Sequence, residues 1–121
     1  MKTAVLATLA LLLVTKLADC ASTLARIGDA RQETNPRASR LMARCGIRTV
    51  VWGYGALAAG IAIASALPAL VADAPWYAAG YVALGLTIAL VQADVARSNW
   101  TGRSGPIARW VAAWHGRVAR R

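Results

Sequence analysis

The chain has 121 residues, of which 58% are hydrophobic and 16% are charged, and this balance suits lipid better than water. Its length leaves room for one domain, residues 1–121, and excludes a separate soluble catalytic core beside its apolar segments. The net charge of +9 would favour nucleic-acid binding in a soluble protein, but the arginines lie between and after the apolar segments. We therefore predict an all-α membrane protein and no nucleic-acid partner.

The first apolar segment, residues 3–26, is predicted to span the membrane. As a helix it is about 36 Å long, against about 30 Å for the bilayer core. A cleaved or lipidated signal sequence is the alternative, but Lys16 and Asp19 interrupt the cleavage region and Asp19 precedes Cys20. Three positions apart, Lys16 and Asp19 share a helix face and are predicted to pair. The pair either snorkels to the interface or marks a functional site within the membrane.

Polar residues late in this span and in the following loop are predicted to form one hydrogen-bonded cluster. Its members are Asp19, Ser22, Thr23, Glu33 and Asn35. The pattern Asp19-x-x-Ser22-Thr23, then Gly28, then Glu33-x-Asn35-Pro36 resembles the signature of a family of small bacterial and archaeal membrane proteins, a domain of unknown function, over residues 11–48. The resemblance implies a helical membrane fold and no known activity. We expect a structural clasp, with a proton or ion relay through Asp19 and Glu33 as the alternative.

A short basic helix is predicted in the first loop, after the bend at Pro36. Its arginines recur every three or four residues and form one stripe, and a helix of this kind lies on an anionic leaflet. An ordinary solvated loop is the alternative. The stripe consists of Arg37, Arg40, Arg44 and Arg48.

Residues 49–72 and 75–93 carry no ionisable group except tyrosines and are predicted to form a transmembrane hairpin. Small residues recur at every fourth position of the first of these spans, as Ala56, Gly60 and Ala64. Such a stripe lets another backbone approach closely, either that of the third span or that of a second copy of the chain, although in an alanine-rich chain it can also arise by chance.

The tail is predicted to turn polar after Asp94 and to end in an amphipathic interfacial helix over residues 105–121. Ser104 and Pro106 provide the signals for its start. Trp110 and Trp114 share its apolar face, while arginines lie outside that face, which is typical of an anchor in the headgroup region.

Arginines also predict the orientation, because the loop between the first two spans and the tail are both basic. Two basic segments separated by two spans face the same side, and the positive-inside rule makes that side cytoplasmic. We therefore predict a multi-pass protein of the inner membrane, with its N-terminus outside, its C-terminus in the cytoplasm and anionic lipid as a partner.

No catalytic or metal-binding pattern is recognisable in the sequence. His115 is the only histidine, and Cys20 and Cys45 lack the spacing of a metal site and are expected to be reduced packing residues. We predict no cofactor and no enzymatic activity, with an intramembrane enzyme using Asp19 and Glu33 as the weakest alternative. The favoured function is a self-associating membrane component or an accessory subunit of a larger membrane complex. A phage holin, which permeabilises the inner membrane, has the same architecture and is the alternative.

Overall fold

The computed structural model describes residues 1–33, 35–72, 74–107, 109–110 and 113. Within them the fold is all helical, as predicted. Its elements, in chain order, are α1 (Lys2–Arg26), a short 3-10 turn (Ala30–Gln32), α2 (Pro36–Cys45), α3 (Ile47–Val71) and α4 (Pro75–Thr101).

Three of these helices, α1, α3 and α4, are long and apolar enough to cross a membrane. At 1.5 Å per residue they are each about 38–40 Å long. Many of their large apolar side chains face outward, including Leu57 and Val71 with 59% and 82% of their surface exposed. Exposed apolar helices of this length are expected in hydrocarbon rather than in water, so the three predicted spans are confirmed as helices.

α1 lies between α3 and α4. Near its start, buried Val5 packs with Ala66 and Ala69 of α3 and with Ala78 of α4. The two helices of the hairpin contact each other mainly near their shared turn, where the Tyr77 hydroxyl donates a hydrogen bond to the Ser65 carbonyl (3.3 Å). The N-terminal helix is therefore the central element of the bundle.

Two glycines let α1 approach its neighbours closely. A Cβ atom at Gly55 of α3 would lie 2.8 Å from Cys20 Sγ, and one at Gly85 of α4 would lie 2.5 Å from Thr8 Cγ2. Both distances are well below the usual contact of about 3.5–4.0 Å between heavy atoms. Glycine is therefore required at both places by the spacing of the helices rather than by a turn.

One end of the bundle collects the arginine-rich segments and is called the basic end; it holds the C-terminus of α1, all of α2 and the C-terminus of α4. The Arg26 guanidinium donates to Asn99 Oδ1 across this end (3.1 Å). The start of α1 and the turn between α3 and α4 lie at the opposite end, since Val5 packs with Ala69 and Ala78 there. The loop after α1 and the last turns of α4 thus lie at the same end.

α4 continues beyond the predicted limit of the third span at residue 93. The segment that the sequence analysis assigned to a polar connection is helical up to Thr101, and Gly102 ends the helix with a positive φ of 66°. The following chain folds back, so that the Gly105 N–H donates to Ser98 Oγ (2.9 Å) and Gly105 lies against the Asp94 carboxylate. Of these polar residues Asn99 faces α1, whereas Arg97 and Thr101 are exposed.

The short helix α2 is fixed at both ends. Asn35 caps it by accepting a hydrogen bond from the Arg37 N–H (3.0 Å), and Pro36 occupies its first turn. Buried Met42 packs α2 against Cys20, Val50 and Val51. Only Gly46 separates α2 from α3, and its φ of 86° permits the sharp change of direction.

Candidate functional site

A groove lined by apolar residues and several polar ones opens at the basic end. Its outer part, about 420 Å³, lies between α1, α2 and α3, and its inner part, about 260 Å³, lies between α3 and α4 over α1. Lys16, Ala58 and Ile61 line both parts, which therefore adjoin each other. The polar lining residues are Lys16, Asp19, Thr23, Glu33, Asn35 and Tyr54 in the outer part, and Lys16, Ser65, Tyr81 and Gln92 in the inner part.

Lys16 and Asp19 form the predicted ion pair in this groove. Lys16 Nζ lies 2.7 Å from Asp19 Oδ2, and the two side chains are 22% and 18% exposed. Asp19 lies about 10 Å before the end of α1 along the helix axis. Charges at such a depth are usually directed to a protein interior or a cavity, where pairing reduces the cost of their desolvation. The pair is thus held within the bundle, facing the groove.

The predicted single cluster of Asp19, Ser22, Thr23, Glu33 and Asn35 is divided in two, which corrects the sequence analysis. Four of its members line the groove, whereas buried Ser22 faces α4. The Asn99 side-chain amide donates to Ser22 Oγ (3.2 Å) and to Thr23 Oγ1 (3.4 Å). Successive helical residues are about 100° apart, so Ser22 faces only α4, whereas Thr23 contacts Asn99 of α4 and also lines the groove.

Glu33 and Asn35 form their hydrogen bonds within the loop. Glu33 Oε1 accepts from the Asn35 N–H (2.9 Å), and Asn35 in turn caps α2. Among the described residues, Glu33 belongs to no ion pair and neither loop residue is hydrogen-bonded to Asp19. The loop is therefore fixed by its own turn and by the cap, and the expected bridge from this loop to α1 is absent there.

A polar seam between α1 and α4 was missed by the sequence analysis. The Thr15 hydroxyl donates to Gln92 Oε1 (2.8 Å). Seven residues further along each helix, the Asn99 side-chain amide donates to Ser22 Oγ. Both pairs join residues 77 positions apart, and the same offset relates Thr8 to Gly85. α1 and α4 are thus parallel helices in register, with contacts that repeat every seven residues as in a coiled coil.

The seven-residue repeat was the signal that would have revealed this seam. Thr8, Thr15 and Ser22 recur at that spacing, and so do Gly85, Gln92 and Asn99. Small and polar residues are the usual contacts between helices in lipid, because large apolar residues gain nothing by leaving hydrocarbon there.

The small-residue stripe of α3, Ala56, Gly60 and Ala64, is exposed along the outside of the bundle. A Cβ atom at Gly60 would meet nothing within 4 Å, whereas Gly55 contacts α1. Packing of this stripe against the third span, one of the two alternatives above, is therefore wrong. Self-association through the stripe stays a prediction.

The residues predicted to contact the membrane surface are exposed where the structure describes them. Arg37, Arg40, Arg44 and Arg48 are exposed, and Trp110 is 70% exposed. The described positions of the tail, 106–107, 109–110 and 113, are helical, while Trp114, His115 and the other positions of the predicted interfacial helix lie outside the described residues. Both cysteines are free; Cys20 is buried as expected, but Cys45 is exposed and not a packing residue.

The described residues contain no group of three or more His, Cys, Asp and Glu side chains that is suited to hold a metal ion. No protein-family model, curated protein or solved structure matches the sequence significantly. The resemblance over residues 11–48 stays a prediction.

Proposed function

We propose that this protein is a non-enzymatic component of the cytoplasmic membrane that self-associates through the outer face of α3. The proposal rests on the different positions of the glycines. Gly55 and Gly85 contact α1 inside the protomer. Gly60 lies on the exposed stripe with Ala56 and Ala64. In lipid, exposed small residues at four-residue spacing favour close packing of a second helix.

The proposed orientation places the basic end in the cytoplasm. The positive-inside rule supports it, because the exposed arginines of α2, together with Arg97 and Arg103, lie at that end. There the arginines would meet anionic headgroups, each contributing about 1 kcal/mol near the surface. We also propose that α1 is retained rather than cleaved, since its removal would take away the helix that contacts both α3 and α4. A reporter fused to the C-terminus tests the orientation. Exposure of the reporter on the outer face of the membrane would show that the true orientation is the opposite of the proposed one.

Two leucine substitutions test self-association. Gly60→Leu places a large side chain on the outer stripe of α3, and Gly80→Leu does the same on α4, where a Cβ atom likewise meets nothing within 4 Å. Neither change disturbs the inside of the protomer, so both variants are expected to fold. The size of the oligomer would be measured for cysteine-free chains by analytical ultracentrifugation in mild detergent. The same chains would also be crosslinked in membranes.

We expect Gly60→Leu to shift the homo-oligomer to monomer and Gly80→Leu to leave it unchanged. A monomeric wild-type chain, or equal behaviour of the two variants, would refute self-association through this face. A stable complex with a different protein in the same detergent would instead indicate an accessory subunit. If expression of the wild-type chain dissipates the membrane potential and Gly60→Leu does not, the assembly belongs to the holin class.

A relay is the second candidate, because the groove connects Glu33 at its mouth with the Lys16–Asp19 pair and continues to Gln92. Ionisable groups that line adjoining cavities within a membrane segment are the elements from which proton pathways are made. Proton flux into liposomes that contain the protein would be measured for the wild-type chain and for Asp19→Asn. Proton flux that is present for the wild-type chain and lost in Asp19→Asn would support a relay. Wild-type flux equal to that of empty liposomes would refute the relay.

A further inference from the structure

We infer that the groove at the basic end binds a membrane phospholipid with an ethanolamine headgroup, the ammonium lying against Glu33 and an acyl chain lying along α3. This inference does not depend on self-association, since the groove lies within one protomer. It rests on the apolar wall, on the charges at the mouth and on the position of the arginines beside it.

The apolar wall suits an acyl chain. Along α3 the groove is lined by Leu57, Ala58 and Ile61, and it continues between α3 and α4 towards Leu84 and Ile88. Of these, Leu57 and Ile61 are each 59% exposed, so the groove is open to the surrounding hydrocarbon. An open apolar groove at this depth in a bilayer is filled by lipid chains, and its mouth determines which headgroup is preferred.

The charges at the mouth favour a cation. Lys16 and Asp19 neutralise each other at 2.7 Å, which leaves the carboxylate of Glu33 as the uncompensated charge among the described lining residues. Glu33 uses Oε1 to accept the Asn35 N–H and among the described residues has no cationic partner. A primary ammonium group can donate hydrogen bonds to this carboxylate, whereas a choline headgroup has no N–H to donate and glycerol carries no positive charge.

The arginines beside the mouth complement the other half of the headgroup. Exposed Arg37 lies between Asn35 and Ala38, which both line the groove, and Arg40 follows one turn later. Arginine is well suited to bind phosphate through its fixed array of donors. A headgroup with an ammonium and a phosphate therefore matches an acidic mouth flanked by arginine, while a purely anionic headgroup would place no cation against Glu33.

The experiment measures which lipid the full-length protein retains. The wild-type chain would be exchanged into micelles that contain equal amounts of dioleoyl phosphatidylethanolamine, phosphatidylcholine and phosphatidylglycerol, and the bound lipids would be counted by native mass spectrometry. Glu33→Gln removes the charge but keeps the oxygen that accepts the Asn35 N–H, so the loop is preserved. Asp29→Asn is the matched control, since Asp29 is paired with Arg31 and does not line the groove.

We expect the wild-type chain and Asp29→Asn to retain phosphatidylethanolamine preferentially, and Glu33→Gln to lose about tenfold in that preference, the size expected for one charge-assisted hydrogen bond. Glu33→Lys should reverse the preference towards phosphatidylglycerol, a gain that a misfolded chain would not show. Preference of the wild-type chain for phosphatidylglycerol or phosphatidylcholine, or an unchanged preference in Glu33→Gln, would overturn the inference.

Discussion

Replacing Gly85 by alanine tests the contact between α1 and α4 most directly. The new Cβ atom would lie 2.5 Å from Thr8 Cγ2 and 3.3 Å from Leu12 Cδ1. Thr8 is 3% exposed and its hydroxyl donates to the Ala4 carbonyl (2.8 Å), so its side chain is not free to turn away. To restore an ordinary contact of about 3.5 Å, α1 and α4 would have to separate by about 1 Å.

The expected magnitude follows from two opposing terms. Overpacking of a tight contact costs about 1–3 kcal/mol. Alanine in place of glycine also favours a helix by about 1 kcal/mol. Gly80→Ala in the same helix gains the helix propensity of alanine without the cost of overpacking, because a Cβ atom at Gly80 meets nothing within 4 Å. The difference in free energy of unfolding between the two variants should therefore be about 1–3 kcal/mol, with Gly85→Ala the less stable.

Unfolding in mixed micelles with increasing dodecyl sulfate, followed by circular dichroism, measures this difference. Thr8→Ser removes the clashing methyl group but keeps the hydroxyl bonded to Ala4, so adding it to Gly85→Ala should restore much of the loss. Equal unfolding midpoints for Gly85→Ala and Gly80→Ala, or no recovery in the double variant, would refute the close parallel packing of α1 and α4.

Two further predictions concern the seam and the loop. Gln92→Leu should lower the free energy of unfolding by only about 0.6 kcal/mol, because the Thr15 hydroxyl can bond the Leu11 carbonyl (2.9 Å) instead; a loss of several kcal/mol in the same assay would contradict this. The pKa of Asp29 is lowered from 3.8 to about 2, chiefly by the side-chain hydrogen bond from Arg31 and then by the Arg31 N–H. A lowered pKa in the folded state means that this pairing stabilises the loop above the ordinary pKa of 3.8 and that its contribution is lost as the pH falls towards 2. NMR titration in micelles should show Arg31→Gln raising the pKa of Asp29, and an unchanged pKa would exclude the pairing.

The sequence predicted the spans well because length and apolar content are enough for that purpose. The predicted first span, residues 3–26, agrees with α1 (Lys2–Arg26), and residues 49–72 agree with α3 (Ile47–Val71). The Lys16–Asp19 pair was also predictable, since residues three apart on a helix are neighbours whatever surrounds them. Local relations of this kind need no knowledge of the packing.

The packing was not predicted, because a helix that is apolar on every side does not indicate which side faces its partner. In an alanine-rich chain, small residues occur on several faces of α3. The regular stripe through Gly60 therefore did not indicate that Gly55 is the glycine in contact with α1. The end of α4 was misjudged for a related reason. Its polar residues were taken for a sign of solvent, but Asn99 is directed towards Ser22 and Arg26 of α1.

The parallel seam between α1 and α4 also has a consequence for biosynthesis. Thr15 and Ser22 are translated 77 residues before their partners Gln92 and Asn99, an interval of about 4–15 s at common rates of translation. During that interval α3 can already pack against α1, but the side of α1 that carries Thr15 and Ser22 has no neighbour. The insertion machinery therefore has to shelter the nascent α1 until α4 has been made, and a ribosome that stalls before residue 92 leaves an incomplete bundle for proteolysis.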